Sequence, residues 1–296
     1  MSIQLKNEFL SLEFEEPGEI YRGTRFDRTG QIVQITYLNR HTFCTSETLD
    51  ENLNNKQGRG LFNEFGIDQP IGYDSCKIGE SFPKIGVGDL IKENDAHYDF
   101  FHDYELKPYK FSYRKEKSSV SFLCESGITN GYSFRLEKNI KLHENNFTIN
   151  YVLYNSGEKE INTNEYIHNF LAINKKPINE DYKLHLPFPL YPDNFAASVN
   201  PNDVISFAES YLTCSSIPKG QFFFKNVETT NEAVGSWTLI HEGEKVGISE
   251  MTDSNVQRIN IWGSAHVISP EIFIVVNVSP GQSCSWNRKY SLFSID

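Results

Sequence analysis

Alternation of apolar and polar side chains with a period of two constrains this chain more than any other feature, and it is clearest over residues 147 to 174, FTINYVLYNSGEKEINTNEYIHNFLAIN. Phe147, Ile149, Tyr151 and Leu153 alternate with Thr148, Asn150 and Val152, mostly the pattern of a half-buried strand. Asn155-Ser156-Gly157-Glu158 predicts a tight reversal, with Gly157 free to take positive φ. A second strand is predicted over residues 161 to 173, making the pair a hairpin. It places Tyr166, His168 and Phe170 on one face and Ile167, Asn169 and Leu171 on the other. An imidazole between two aromatic rings is an unusual way to fill space. His168 is therefore a candidate proton donor, and the hairpin a candidate floor for a cleft.

The same short runs recur along the chain. There are 22 Phe and 15 Tyr against 2 Met, an aromatic enrichment that belongs to sheets. Strands are predicted over residues 3 to 15, 32 to 37, 98 to 108, 109 to 115, 119 to 125 and 132 to 142. They resume over residues 221 to 227, 236 to 241, 246 to 252, 256 to 262, 271 to 278 and 285 to 293. Turn signals at sandwich-like intervals separate the middle set. Residues 44 to 58 read as a surface loop. Residues 58 to 92 hold seven glycines and read as a long ordered loop of the kind that carries function. Residues 175 to 220 are proline-rich and show no clear period. With no linker or repeat, the expectation is all-β, a large antiparallel β-sandwich forming one domain over residues 1–296.

A formal charge of -11 argues against nucleic acid, whose phosphates demand cationic contacts, and against anionic membranes. Five scattered cysteines (Cys44, Cys76, Cys124, Cys214, Cys284) contain no C-x-x-C pair, which predicts reduced thiols. The first residues, MSIQLKNEFLSLEFEE, lack the apolar stretch of a signal peptide, and no run reaches the ~20 apolar residues of a membrane helix. A cytoplasmic protein with no membrane partner is expected. His97 and His102 find no third ligand in the sequence, so no metal site is expected.

The order "strand, N-x-G turn, strand ending in His-Asn-Phe" resembles the galactose mutarotase (aldose 1-epimerase) superfamily, where a comparable strand carries T-N-H-x-Y-F-N-L. Residues 269 to 293, SPEIFIVVNVSPGQSCSWNRKYSLF, are similar to that family's closing pattern of a strand presenting Glu, a P-G-x turn and a last strand with Tyr and Phe. The resemblance implies a galactose mutarotase-like supersandwich with His168 as general acid and Glu271 as general base. It also implies a small sugar as substrate.

The residue types suit that chemistry. Exchanging the anomers of a free sugar takes a proton from the C1 hydroxyl and gives one to the ring oxygen; the ring opens, C1–C2 rotates and the ring closes. No electrons move, so no cofactor is needed. One acid and one base near neutrality suffice, each worth ~10²–10⁴-fold. Histidine has an unperturbed pKa of ~6.5. Glu271 opens the apolar run EIFIVVNV, where desolvation would make it a stronger base. To flank a pyranose the two groups should lie on the order of 5–8 Å apart across one cavity.

Three further residues are candidates for binding substrate. Arg59, in GRGLFNEFG, resembles the R-G-G motif of the hexose-6-phosphate mutarotase branch; an Arg fork could grip hydroxyls or a phosphate, or form a structural ion pair. Lys84 stands in FPKIGVG, which resembles L-P-Q-H-G-F-A-R but has Ile85 where a second His is expected. Lys84 could replace that polar contact or lie at the surface. Trp262 could offer its indole face to a sugar or pack in the core. Arg22 and Arg25 either line the cleft or pair with Glu19 and Asp27. The rival expectation is a carbohydrate-binding or sensor protein that keeps the cleft without the catalysis.

Overall fold

The computed structural model describes residues 3–53, 55–228 and 235–295. Among them there is no α-helix, only strands and a few 3₁₀ turns, and two ten-stranded sheets dominate. The first sheet runs in the order Ile3–Lys6, Leu10–Phe14, Ile32–Tyr37, Gly60–Phe65, Ile161–Phe170, Val267–Val278, Val256–Ser264, Phe222–Lys225 and Ala197–Val199, with His41–Thr42 added beside Ile32–Tyr37. The second is centred on Val246–Thr252, Ser283–Ser294, Asn146–Asn155 and Phe134–His143. Neighbouring strands in both pair antiparallel. Their inner faces share one hydrophobic core that reaches from Ile3 to Leu292. The large antiparallel sandwich expected from the alternation is the architecture found.

The expected hairpin is not. Asn146–Asn155 pairs with Phe134–His143 and Ser283–Ser294, whereas Ile161–Phe170 pairs with Gly60–Phe65 and Val267–Val278. The intervening turn carries the chain from one sheet to the other. Both strands bury an apolar face, and stacking those faces across the core satisfies the alternation as well as pairing them edge to edge would. Gly157 does not take positive φ either. It is needed for clearance, since a Cβ there would lie 2.5 Å from the backbone nitrogen of Ser133.

Other boundaries shift for similar reasons. Residues 3 to 15 form two paired strands around a turn in which the Asn7 side chain accepts bonds from the Phe9 and Leu10 N–H groups. Residues 58 to 92 are not one loop: they supply Gly60–Phe65 to the first sheet and a hairpin of Ser81–Lys84 with Gly88–Ile91. Of residues 98 to 108 only Leu106–Pro108 is strand. Residues 175 to 220 contribute four short strands.

A polar network crosses the core between the sheets. Arg288, fully buried, reaches Glu165 at 2.7 Å, the Ile272 carbonyl at 2.9 Å and Glu250 at 2.5 Å. Glu250 also accepts from the Trp237 indole at 2.8 Å and from Asn169 at 3.1 Å. Buried charges persist only when partnered in this way. Glu165 and Asn169 stand on the strand that carries His168, on its inward face, so the network fixes that strand from behind.

Candidate active site

Strand register assembles the site. Glu165 pairs with Ile274 and Leu171 with Ile268, so the same register sets His168 across from Glu271. Glu271 is in turn paired with Asn260, Ser269 with Trp262, Phe273 with Arg258, and Trp262 with Phe223. Paired residues share a face, and every second residue along a strand returns to it. Tyr166, His168, Glu271, Phe273, Asn260 and Trp262 therefore line one side of a cavity of about 730 Å³ on the outer face of the first sheet. Such a volume is typical of small-molecule sites. Arg25, Phe100 and Phe101 close its other side from loops.

His168 and Glu271 touch: Nε2 lies 3.2 Å from Glu271 Oε1. This is closer than the separation expected of two groups that flank a ring, because the register of adjacent strands sets the two side chains directly opposite each other. The imidazole stacks flat on Phe170 at 3.9 Å and meets the edge of Trp262 at 5.1 Å, with Tyr166 at 6.1 Å on its other side. The two aromatic neighbours foreseen along the strand are both present. Behind the ring, Nδ1 is 2.8 Å from the Ser269 hydroxyl.

Both groups are only 4% exposed, and burial dominates their titration. It pushes the Glu271 carboxyl from 4.5 up to about 8, opposed by Arg25 and reinforced by Glu64. Burial, with a further push from Arg25, holds His168 well below its ordinary value. At neutral pH the pair therefore rests without net charge and holds one acidic proton in common.

Arg25 lines the cavity, one of the two positions open to it. It pairs with Glu64 at 2.8 Å and Glu47 at 3.4 Å, not Asp27, and donates to the Tyr166 hydroxyl at 2.9 Å. The Phe26 and Phe100 rings each lie 4.5 Å from its guanidinium.

Trp262 is at the cavity wall, while Arg59 and Lys84 are not. Arg59 is engaged by Glu15, whose other oxygen accepts from the backbone N–H groups of Ile20 and Tyr21, so the pair fastens the loop after the second strand. Arg59 borders a separate cavity of about 420 Å³. Lys84 is 1% exposed and bound to Glu64 at 3.1 Å. It supports Arg25's partner from below and contacts no open space. Ile85, at the position of the missing histidine, packs in the core, and Gly86 is required there because a Cβ would meet Asp27 Oδ1 at 2.0 Å.

Sequence reasoning missed Arg258, Asn260, Phe273 and Ser269. Their signal was available: Arg258, Asn260 and Trp262 alternate along one predicted strand, and Ser269 and Phe273 flank Glu271 at a spacing of two. Phe100 and Phe101 come from an irregular segment whose position no local pattern reveals. Among the described residues no cluster of three or more His, Cys, Asp or Glu side chains could hold a metal ion. No helix of the described residues is long and apolar enough to cross a membrane. The five cysteines are unpaired.

Comparison with solved structures identifies the architecture as the galactose mutarotase-like fold. A galactose mutarotase-like protein from Lactobacillus casei superposes with a TM-score of 0.61 at 15% identity, covering 99% of this chain and 100% of its own. A galactose mutarotase-like protein from Clostridium acetobutylicum gives 0.61 at 11% identity over 99% and 95% of the two chains. Galactose 1-epimerase from Lactobacillus acidophilus gives 0.52 at 12% identity over 100% and 95%. No family model and no curated protein matches the chain. At such identities the likeness is one of fold.

Proposed function

We propose that this protein is an aldose 1-epimerase, interconverting the α and β anomers of a hexose or hexose phosphate, with His168 as general acid and Glu271 as general base. The observation that carries this reading is the pairing of an imidazole and a carboxyl on adjacent strands at the floor of one aromatic-walled cavity. Two groups that hold a single acidic proton between them are what the reaction consumes and regenerates.

A pyranose enters with its C1 end between the two groups and takes over their mutual hydrogen bond. The proton lies on the imidazole in the reacting state, and the carboxylate accepts the C1 hydroxyl proton as the imidazolium donates to the ring oxygen. After rotation about C1–C2 both transfers run backwards and the other anomer leaves. Trp262, at the wall, offers an apolar face to the C–H surface of the ring, and Asn260 offers an amide to its hydroxyls. The chemistry calls for no cofactor. Unpaired thiols suit a cytoplasmic location.

The test is anomer exchange of glucose, galactose and their 6-phosphates, followed by polarimetry or exchange NMR. Wild-type protein is expected to accelerate it, and His168→Ala and Glu271→Gln to abolish the acceleration while leaving the fold intact. One observation favours the rival, a sugar-binding protein without catalysis: the acid and base are bonded to each other. Sugar binding with no faster exchange would establish that reading instead.

A further inference from the structure

Ser269 is fully buried behind the imidazole, two positions before Glu271 on the same strand face. Its hydroxyl oxygen is fixed by three neighbours. It accepts the Asn169 backbone N–H at 3.0 Å, lies 2.8 Å from His168 Nδ1, and lies 3.4 Å from Glu271 Oε1. The hydroxyl thus touches both proposed proton carriers from a buried position on the same face of the sheet, outside the cavity lining.

A hydroxyl has one proton, and the nearer acceptor takes it. Donation to Nδ1 leaves the ring proton on Nε2, the nitrogen that faces Glu271, since the tautomer follows from the bond made by the other nitrogen. A neutral imidazole in that state is a poor acid. To become a donor it must gain a second proton, and Nδ1 is the only nitrogen free to receive it.

We propose that Ser269 is a positioning residue with a relay function: it holds His168 in the Nε2–H tautomer and passes the proton of Glu271 to Nδ1. This rests on the mutarotase reading of the pair. In the step, the Glu271 O–H bond breaks as a bond to Ser269 Oγ forms, and the original Oγ–H bond breaks as Nδ1–H forms. The carboxyl becomes carboxylate, the imidazole becomes imidazolium, and the serine is regenerated. Only hydrogens move, with the oxygen anchored by the Asn169 N–H. When a sugar parts Nε2 from Oε1, this rear path still joins acid to base.

The experiment combines imidazole ¹⁵N NMR of the full-length protein, His168 being assigned by its loss in His168→Gln, with exchange kinetics. The wild-type ring at pH 7 is expected to be the Nε2–H tautomer with Nδ1 as an acceptor. Ser269→Ala is expected to populate both tautomers and to lower kcat roughly tenfold, the worth of one hydrogen bond to a charged group, with KM little changed. Ser269→Thr, which keeps the hydroxyl, restores tautomer and kcat together. An Nδ1–H tautomer in the wild type, or an unaltered tautomer in Ser269→Ala, overturns the proposal. Should the wild-type protein not accelerate exchange at all, the mutarotase reading fails, while the ¹⁵N spectrum still decides whether Ser269 sets the tautomer.

Discussion

Arg288 of the second sheet lies 2.7 Å from Glu165 of the first, and neither side chain is exposed to solvent. Three residues beyond Glu165 on the same strand stands His168. The ion pair therefore clamps the two sheets at the level of the site. Removing the cation leaves Glu165 and Glu250 buried without the partner that pairs with both, which costs ~3–5 kcal/mol. Arg288→Ala is expected to lower stability in urea by about that amount. Because one core spans both sheets, unfolding of the wild-type protein should be a single transition by fluorescence and circular dichroism alike.

Stability should also fall as pH rises from 6.5 to 8. The Glu271 carboxyl titrates at about 8 in the folded protein against 4.5 ordinarily, so the folded state holds a proton that the unfolded state has released. That contribution is complete below 4.5 and is lost as pH climbs through 8. His168, kept neutral by burial, faces an unfolded-state histidine that is still partly protonated at 6.5, so it offsets part of this loss up to about pH 7.5 and little above it. The slope from the carboxyl is roughly 1.4 kcal/mol per pH unit. Glu271→Gln carries no titrating proton there and should flatten the curve in parallel melts.

Catalysis should follow the same proton. Above about pH 8 the pair loses it and no acid remains, so kcat/KM for anomer exchange is expected to decline on the alkaline side with a midpoint near 8. At low pH the pair holds two acidic protons and the base is lost, giving a bell-shaped profile in a pH series of exchange rates.

Two substitutions separate the cavity wall from its surroundings. Trp262→Ala removes an aromatic face beside the imidazole and should raise KM for a hexose about tenfold. Arg59→Ala, outside the cavity and engaged by Glu15, should leave KM unchanged and instead loosen the loop at Ile20 and Tyr21, detectable as faster amide exchange there.

Much of this was legible in the residues themselves. Alternation placed His168 on the face opposite Asn169, and the strand over Val246–Thr252 falls where the pattern sets it. A charge at the head of EIFIVVNV marked Glu271. What alternation does not carry is pairing. It assigns a buried face to Asn146–Asn155 and another to Ile161–Phe170 without saying whether those strands lie side by side or across the core. Basic residues were equally ambiguous, since Arg59, Lys84 and Arg25 all satisfy carboxylates through partners distant in the chain. Only Arg25 also opens on the cavity.

The crossing of the chain between sheets after Asn155 has a consequence for how the molecule is made. The two strands that come latest in chain order among the described residues, Val267–Val278 and Ser283–Ser294, lie in the interior of their respective sheets. Until they are synthesised each sheet is split down its middle, with unpaired backbone on either side of the gap. Assembly of the clamp and the cavity thus waits on translation through Ser294, and until then the earlier strands depend on being kept apart from one another's exposed edges.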